Sequence, residues 1–307
     1  MTDATRFDSI FRPGLFDGKV ALVTGGGSGI GRCIAHELAH LGATVVVSGR
    51  KPEPLDAVVA EIARAAEASG GSAGRAEARV LNIREEESVD QVVGDIARAH
   101  GRIDLLVNNA GGQFASPAAL IRPKGWRAVV DTNLNGTWFV TQAAFKHSMA
   151  KRGGAIVSIV AEMWNGFPGM AHTGAARAAV VNLTQTLAVE WAGANVRINA
   201  VAPGYVLSSG FKNYPPEVAS MAKVALTKNP AGRPGTESEV SAAVLFLLSP
   251  AAAYINGATL RVDGASSLQK EPMLPTMSGR PTPAFDGFHL PPDLPEAFVA
   301  LRPPPAK

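Results

Sequence analysis

The chain of 307 residues is 46% hydrophobic and 18% charged, with a mean hydropathy of +0.10. This composition excludes a disordered polyelectrolyte and allows one large buried core. The 29 Lys and Arg residues exceed the 26 Asp and Glu residues by only three, and they form no basic block. Nucleic acid is therefore an improbable partner, whereas a phosphorylated small ligand remains open.

The single cysteine, Cys33, cannot form an internal disulfide or a cysteine-cluster metal site. Residues 1–16 lack the apolar core of an export signal. The longest uncharged stretch, Val240 to Leu260, is interrupted by Ser249-Pro250 and Asn256-Gly257 and so predicts no membrane span. We therefore expect a cytoplasmic protein that binds no metal and has no membrane partner.

Short apolar runs alternate with amphipathic stretches, which is typical of parallel strands covered by helices on both faces. The predicted strands are Val20–Thr24, Thr44–Ser48, Ala78–Leu81, Ile103–Asn108, Ala155–Val160, Arg197–Val201 and Thr259–Val262. The predicted helices are Gly29–Leu41, Glu53–Ala68, Glu86–His100, Lys124–Lys151, Gly174–Ala192 and Ser238–Leu248. This order predicts an α/β protein, a Rossmann-type doubly wound parallel sheet of seven strands in a single domain.

Two segments at the ends and one loop fall outside this alternation. We expect an N-terminal arm at 1–16, the dinucleotide-binding domain at 17–265, and a substrate loop at about 204–233. Ten of the 22 prolines lie between residues 271 and 307, so 266–307 is predicted to be a tail without helix or strand. The tail is either loose or laid over a neighbouring surface through its three phenylalanines, Phe285, Phe288 and Phe298.

A glycine-rich turn follows the first predicted strand and leads directly into a helix. It reads Thr24-Gly25-Gly26-Gly27-Ser28-Gly29-Ile30-Gly31. Glycines allow the backbone N–H groups and the helix N-terminus to approach a pyrophosphate closely. In this context the turn predicts a nucleotide site.

The end of the second strand indicates which nucleotide is bound. A free ribose favours an acidic residue there, whereas a 2′-phosphate favours a guanidinium. The sequence has Arg50-Lys51 and no acid before Glu53. It therefore predicts NADP(H) rather than NAD(H).

Several motifs together resemble the short-chain dehydrogenase/reductase family over about residues 17–265. They are Thr24–Gly31, Asn108-Asn109-Ala110-Gly111, Asn133 within Thr-Asn-Leu-Asn-Gly, Pro203-Gly204 and Val262-Asp263-Gly264. Others look like the peroxisomal trans-2-enoyl-CoA reductase type and bacterial citronellol/citronellal dehydrogenase-like proteins: Arg12–Leu15, Asn108–Pro117, Lys124–Trp126, Gly166–Pro168 and His172–Arg177. The 2,4-dienoyl-CoA reductases are a more distant likeness.

The resemblance implies a set of cofactor contacts around the predicted nucleotide site. The pyrophosphate would contact Gly25, Ser28, Gly29 and Ile30, and the 2′-phosphate would contact Arg50 and Lys51. The adenine would contact Asn82 and Ile83, and the ribose side would contact Asn109, Ala110 and Gly111. The nicotinamide would contact Pro203, Gly204, Tyr205 and Val206. Asn82 departs from the family's usual Asp, but its carbonyl oxygen can still accept a hydrogen bond from the adenine amine.

The family's catalytic set is Asn, Ser, Tyr and Lys, and this chain retains only the first, as Asn133. By the resemblance, the Tyr and Lys positions map to Thr173 and Arg177, and the Ser position falls near Ala161. No tyrosine lies between Ala150 and Gly204. Alcohol or ketone chemistry needs an acid/base that titrates, such as a phenol beside Lys, which threonine cannot replace.

Hydride addition to the β-carbon of an enoyl thioester makes a different demand, because it needs hydrogen-bond donors at the developing oxyanion. We expect Thr173 to supply such a donor and Arg177 to hold the nicotinamide ribose and add positive charge. His172 is either an acid or a histidine bonded to backbone, and Glu162 is either an acid or a solvated carboxylate.

An apolar acyl pocket is expected near the carboxyl ends of the strands. Its predicted walls and substrate contacts are Gln113, Phe114, Met163, Trp164, Phe167, Met170, His172, Tyr205, Phe211 and Tyr214. Lysines of the loop, Lys212, Lys223 and Lys228, either meet CoA phosphates or form a solvated face.

The sequence thus favours an NADPH-dependent reductase of 2-enoyl-CoA. Two alternatives stay open: a dehydrogenase of a branched terpenoid alcohol such as citronellol, and a nucleotide-binding homologue without turnover. Broad apolar sets on the helices at Lys124–Lys151 and Gly174–Ala192 predict a homotetramer or homodimer. They include Trp138, Phe139, Val180, Leu183, Leu187 and Trp191.

Overall fold

A computed structural model describes residues 7–68, 74–213, 229–269 and 281–303. The strands are β1 Val20–Thr24, β2 Thr44–Gly49, β3 Ala76–Val80, β4 Leu105–Asn108, β5 Gly154–Ile159, β6 Val196–Pro203 and β7 Thr259–Val262. The helices are α1 Gly29–His40, α2 Pro52–Ala68, α3 Glu86–His100, α4 Pro123–Val130, α5 Gly136–Ala144, α6 Ala150–Arg152, α7 Ala171–Glu190, α8 Glu237–Leu248 and α9 Glu296–Val299.

The seven strands form one parallel sheet in the order β3-β2-β1-β4-β5-β6-β7. The order reverses between β1 and β4, which opens a crevice at the carboxyl ends of these two strands. The predicted Rossmann-type sheet in a single domain is confirmed.

Alternation along β1 explains the two layers of the core, because successive side chains point to opposite faces. Ala21 and Val23 pack with α1, α2 and α8 on one face, and Val20 and Leu22 pack with α3, α5 and α7 on the other. Both faces are apolar since helices cover both.

Several predicted boundaries are wrong by a few residues. Strand β3 begins two residues early, at Ala76, β4 begins two residues late, at Leu105, and β6 continues to Pro203. Helix α7 begins at Ala171 rather than Gly174, which places His172 and Thr173 in its first turn. The residues before it, Phe167 to Met170, form the turn that allows this earlier start, with Met170 N donating to Phe167 O.

The predicted helix Lys124–Lys151 is interrupted by two π-helical turns, Asp131–Asn135 and Phe145–Met149. Such single turns are frequent at functional sites. Hydrophobic periodicity does not reveal them because the helix continues on either side. The first one carries Asn133.

The described tail, residues 281–303, lies over the domain and contains one short helix, α9, which the sequence analysis did not predict. This helix fits between Pro295, at its N-cap, and Pro303, because proline is tolerated at a helix start. Phe288 packs against Phe7 and His36, and Phe298 packs against Phe211. The tail is therefore laid over a neighbouring surface rather than loose in this range.

Most residues of the predicted oligomer surface pack against other residues of the same chain. Val180 and Leu187 are buried in the core, and Trp191 stacks on Phe145. Val189 of α7 and Tyr254, which follows α8, are strongly exposed apolar side chains. Within the described residues, no helix has the length and apolar character needed to cross a bilayer, and no three His, Cys, Asp or Glu gather as a metal site.

A buried carboxyl group joins the N-terminal arm to α1 and α8. Glu37 of α1 accepts hydrogen bonds from Ser9 Oγ at 2.7 Å and from Ser241 Oγ at 2.5 Å. Burial raises the pKa of Glu37 from 4.5 to about 7. The folded protein therefore holds a proton at a pH where the unfolded chain has released it.

We predict that the difference in free energy of unfolding between wild type and Glu37→Gln falls by roughly 3 kcal/mol as the pH rises from about 4.5 through about 7, at about 1.4 kcal/mol per pKa unit. Glutamine carries no ionisable proton; its carbonyl oxygen accepts from one hydroxyl and its amide nitrogen donates to the other. The subtraction removes the contributions of Glu237, whose pKa burial raises to about 7, and of His36 and His289, whose pKa values burial lowers. Urea unfolding at several pH values measures the effect, and the exposed Glu190→Gln is the control. Identical slopes in wild type and Glu37→Gln would contradict the prediction.

Candidate active site

The glycine-rich turn between β1 and α1 leaves its polar groups open to a ligand. Gly25 and Gly29 have φ of +64° and +56°, which glycine adopts without strain. Ser28 precedes the helix, is exposed, and its hydroxyl caps no helical N–H group. The N–H groups at the start of α1 and the Ser28 hydroxyl are therefore available to an anion such as a pyrophosphate.

Thr24 connects this turn to the loop that follows β4. Its hydroxyl accepts hydrogen bonds from Asn109 N at 3.1 Å and Ala110 N at 3.0 Å, and donates to Val107 O. The Asn109 side chain donates to Thr24 O at 3.0 Å and to Gly25 O at 3.1 Å. The two loops that the sequence assigned to the nucleotide site are thus held together across the crevice.

The end of β2 presents unpaired positive charge beside this crevice. Arg50 and Lys51 are exposed, and within the described residues the Arg50 guanidinium has no hydrogen bond or ion pair. Asn82, after β3, donates to Glu85 Oε1 at 2.6 Å, while Ile83 is buried against Gly136. Among the described residues, Arg50 and Lys51 are therefore exposed cations without a partner at the carboxyl end of β2.

The predicted nicotinamide contacts follow β6 and are well ordered by backbone bonds. Gly204 N donates to Val262 O at 3.0 Å, and Val206 pairs with Gly235. A Cβ at Gly204 would lie 2.9 Å from the Cα of Asp263, so only glycine fits there. Pro203 and Gly204 are half-buried, Val206 is buried, and Tyr205 is exposed.

Asn133 and Arg177 meet beneath the Gly111-Gly112 backbone. Asn133 is fully buried; its amide donates to Gly112 O at 2.7 Å and Val129 O at 2.8 Å, and its carbonyl accepts from Gly112 N at 3.2 Å. Because every polar atom of this side chain binds backbone, Asn133 positions the glycine loop.

Arg177 lies on the inner side of α7, one turn beyond Thr173. Its Nη1 donates to Ile159 O at 2.7 Å, and its Nε has no partner among the described residues. Burial lowers the pKa of Arg177 to about 10, so the guanidinium remains charged at neutral pH. A buried cation with an unused donor thus faces the site.

His172 and Thr173 occupy the first turn of α7 and are both fully buried. Thr173 N donates to His172 Nδ1 at 2.9 Å, and Thr173 Oγ1 lies 3.4 Å from the same nitrogen. The Phe114 ring stands edge-on to the imidazole, with centroids 4.4 Å apart. The structure therefore brings together three of the residues that the sequence assigned to substrate and catalysis.

Other predicted pocket residues lie elsewhere. Trp164 stacks against Arg261 of β7 at 4.0 Å, and Phe211 packs on Phe298 of the tail. Periodicity does not identify either partner, because Arg261 and Phe298 are far from Trp164 and Phe211 in the sequence. Lys212 pairs with Asp293 rather than standing free. Tyr214, Lys223 and Lys228 lie outside the described residues.

Glu162 is also held by a distant partner. Its carboxylate accepts a hydrogen bond from Ser266 Oγ at 3.0 Å. Asn165 in the same loop donates to Ser267 O at 2.8 Å, so the segment after β5 is tied to the segment after β7. Sequence reasoning missed this connection, and no local signal could have revealed it. Of the remaining predicted contacts, Met163 is half-buried and Gln113 is exposed.

Comparison with known proteins agrees with this geometry. A family model described as enoyl-(acyl carrier protein) reductase matches residues 25–266. The chain belongs to the short-chain dehydrogenase/reductase family, and it is an oxidoreductase of that family, whose members bind a nicotinamide cofactor.

Three relatives show the range of named activities. The structure of a citronellol catabolism dehydrogenase from Pseudomonas aeruginosa is 49% identical, with a TM-score of 0.75, covering 85% of this chain and 100% of that one. The peroxisomal 2,4-dienoyl-CoA reductase of Rattus norvegicus is 36% identical over 85% of this chain and 88% of its own. A Beutenbergia cavernae dehydrogenase structure with bound NADP at low occupancy is 37% identical, with a TM-score of 0.76, covering 84% and 100%.

We predict that Gly111→Ala lowers the free energy of unfolding by about 1–3 kcal/mol and weakens cofactor binding. The new Cβ would lie 2.4 Å from Arg177 Nη2 and 2.8 Å from Asn133 Oδ1, so both side chains would have to move. Gly112→Ala is the matched control, because a Cβ there meets nothing within 4 Å. Denaturant unfolding and cofactor titration compare the two variants. Equal behaviour would show that Arg177 and Asn133 do not pack tightly under this loop.

Proposed function

We propose that the protein is an NADPH-dependent reductase of trans-2-enoyl thioesters, with CoA as the thioester group. The observation that carries the proposal is the pair Thr173 and Arg177 at the family's Tyr and Lys positions. Thr173 has no proton that titrates near neutral pH, and Arg177 stays charged, so the pair cannot exchange a proton with an alcohol oxygen. The pair does provide a hydrogen-bond donor and a fixed positive charge.

When bound, NADPH supplies the hydride that adds to the β-carbon of the substrate. The electron pair of the carbon–carbon double bond then moves toward the carbonyl and gives an enolate, whose charge rests on the thioester oxygen. The Thr173 hydroxyl donates to this oxygen, and the buried guanidinium of Arg177 stabilises the charge from behind. A proton from water completes the reaction at the α-carbon and yields the saturated acyl thioester.

The donor set fits the nicotinamide cofactor. Gly25 and Gly29 allow close approach of the backbone, the Ser28 hydroxyl is unused, and Asn109, Ala110 and Gly111 line the other side of the crevice. Arg50, exposed and without a partner among the described residues, is the group we assign to the 2′-phosphate, with Lys51 beside it.

A second candidate is oxidation of a branched terpenoid alcohol. It is favoured by the 49% identity to the citronellol catabolism dehydrogenase. This chemistry needs a titratable group on the alcohol oxygen, for which His172 is the available side chain. A homologue that binds the nucleotide without turnover is the third candidate, and hydride transfer to any of these substrates would exclude it.

The test of function is a panel of trans-2-enoyl-CoAs with NADPH and of terpenoid alcohols with NADP⁺, followed at the nicotinamide absorbance. We expect turnover with the thioesters. Turnover confined to the alcohols would overturn the proposal in favour of the second candidate.

Thr173→Val should lower kcat on the enoyl-CoA by roughly 10²–10³, which is the usual loss for one oxyanion donor, and leave NADPH affinity nearly unchanged. Thr173→Ser keeps the hydroxyl and should retain most of the rate, so it is the matched control. Arg177→Ala should weaken both rate and cofactor affinity, because charge and donors are lost together. Stopped-flow rates and NADPH fluorescence titration separate the two quantities. A Thr173→Val enzyme with the wild-type rate would show that the hydroxyl is not a donor.

Arg50→Asp should shift the preference from NADPH toward NADH, since a carboxylate repels the 2′-phosphate and accepts from a free ribose hydroxyl. Arg152→Asp is the control: it makes the same charge change at an exposed residue before β5, at the amino ends of the strands, whereas Arg50 lies at the carboxyl end of β2. The ratio of kcat/KM for the two cofactors measures the preference. If the ratio is unchanged, the 2′-phosphate is bound by other residues.

We further propose that the protein is a homotetramer or homodimer in which a second copy covers Val189 of α7 and Tyr254 after α8, which are 80% and 103% exposed. Multi-angle light scattering at micromolar concentration measures the mass, and a monomer would contradict this.

A further inference from the structure

Glu237 is a buried carboxyl group with one unpaired oxygen, at the start of α8. The residue is 5% exposed, and its Oε1 has no hydrogen-bond partner among the described residues. Buried polar atoms are normally paired, because an unpaired one costs the free energy of its lost hydration. A buried oxygen of this kind indicates a partner that a ligand or a water molecule supplies.

The unpaired oxygen lies beside the glycine-rich turn of the proposed nucleotide site. A Cβ at Gly29 would lie 3.8 Å from Glu237 Oε1, 3.1 Å from Ser209 Oγ and 3.7 Å from Ser208 Cβ. Glycine at this point of the turn keeps that space open, so that a pyrophosphate can approach the backbone at the start of α1. The Glu237 carboxyl group therefore borders the space in which the pyrophosphate is proposed to bind.

The protonation state of this carboxyl group decides which contact it can make there. The ionised form only accepts hydrogen bonds and repels phosphate oxygens, whereas the protonated form donates one hydrogen bond. Burial raises the pKa of Glu237 from 4.5 to about 7. A phosphate anion in contact with the group favours the neutral form further, because like charges oppose ionisation.

Charged and titratable groups surround Glu237 from α1 and from the tail. They are Arg32 and the buried thiol of Cys33 on α1, and Asp286 and Arg302 in the tail. Arg32 donates to both carboxylate oxygens of Glu61 at 2.8 Å, and Arg302 pairs with Asp286 at 3.6 Å. Within the described residues neither arginine forms an ion pair with Glu237, so no cation holds this carboxyl group in its ionised form.

We propose that Glu237, as a neutral carboxyl group, donates a hydrogen bond to the pyrophosphate of the bound nicotinamide nucleotide. This inference rests on the nucleotide site of the proposed function and does not depend on the thioester chemistry. Below the pKa of about 7 the free protein already carries the proton. Above it, binding of the nucleotide takes up a proton, so the affinity falls as the pH rises.

Calorimetric titration with NADP⁺ at several pH values, in buffers of different ionisation enthalpy, measures both Kd and the protons taken up. In wild type we expect uptake of up to about one proton per NADP⁺ above about pH 7, with Kd rising by up to about tenfold per pH unit. In Glu237→Gln the amide donates in place of the acid and does not titrate. This variant should lose that uptake and that slope, and its Kd at about pH 6 should stay within about twofold of wild type. The difference between the two proteins removes the titration of the cofactor's own phosphates.

Two further variants separate the donor from other effects of a buried carboxyl group. Glu37→Gln is the matched control, because burial also raises the pKa of Glu37 to about 7 but its carboxyl group is bonded to Ser9 and Ser241. It should keep the wild-type proton uptake. Glu237→Ala removes both the charge and the donor, and it should bind NADP⁺ roughly tenfold more weakly than wild type at about pH 6. Circular dichroism verifies that each variant is folded.

Three results would overturn the inference. Equal proton uptake and equal pH slopes in wild type and Glu237→Gln would mean that the unpaired oxygen bonds a water molecule, for which the cavity of about 20 Å³ lined by Glu237 and Asp286 has room. Release of protons on binding, with tighter binding at higher pH, would mean that an ionised Glu237 accepts from a hydroxyl of the cofactor. Equal affinity of wild type and Glu237→Ala at about pH 6 would show that the carboxyl group donates no hydrogen bond.

The outcomes distinguish this inference from the proposed function. A protein that reduces enoyl-CoAs without proton uptake at Glu237 refutes only the role of Glu237. A protein that shows the uptake but turns over only alcohols refutes the thioester proposal and supports the role of Glu237. If the protein binds NAD⁺ instead of NADP⁺, the same comparison applies, because the two nucleotides share the pyrophosphate. A protein that binds neither nucleotide overturns both proposals.

Discussion

The close approach of β1 and β4 at the reversal of strand order is the constraint on which the site depends. The polar backbone groups at this crevice must be satisfied by hydrogen bonds. Thr24 does this by accepting from Asn109 N and Ala110 N, while Asn109 returns hydrogen bonds to Thr24 O and Gly25 O. These bonds set the distance between the glycine turn and the loop after β4, and hence the width of the nucleotide site.

The loop after β4 also contacts the residues that are proposed to act in catalysis. Beyond Asn109 the backbone reaches Gly111 and Gly112, which lie on Arg177 and Asn133. Arg177 in turn bonds the last carbonyl of β5, and four residues before it Thr173 starts the turn with His172. The loop after β4, the buried cation Arg177 and the proposed oxyanion donor Thr173 are therefore parts of one packed unit, so that a change at one affects the others.

Much of this arrangement could be predicted from the sequence, because local chemistry determines it. The glycine turn, Arg50 at the end of β2, and Thr173 with Arg177 at the start of α7 can each be recognised from a few neighbouring residues. The π-helical turn at Asn133, the Trp164–Arg261 contact and the bond from Ser266 to Glu162 were not predictable. The last two depend on pairs about a hundred residues apart, which periodicity and motif do not encode, and the π-helical turn is hidden because the helix continues on either side.

The terminal segments, which lie outside the part of the chain that the relatives share, also contact elements that form the proposed site. The citronellol catabolism dehydrogenase structure is covered completely but matches only 85% of this chain. The tail bonds Asp8 of the N-terminal arm through Gly287 O and packs Phe288 on His36 of α1. It also pairs with residues on both sides of 214–228, through Asp293 with Lys212 and through the Thr282 and Pro283 carbonyls with Arg233. Since the glycine turn before α1 is the proposed pyrophosphate site and Lys212 follows the proposed nicotinamide contacts, the tail contacts elements at both ends of the proposed cofactor site.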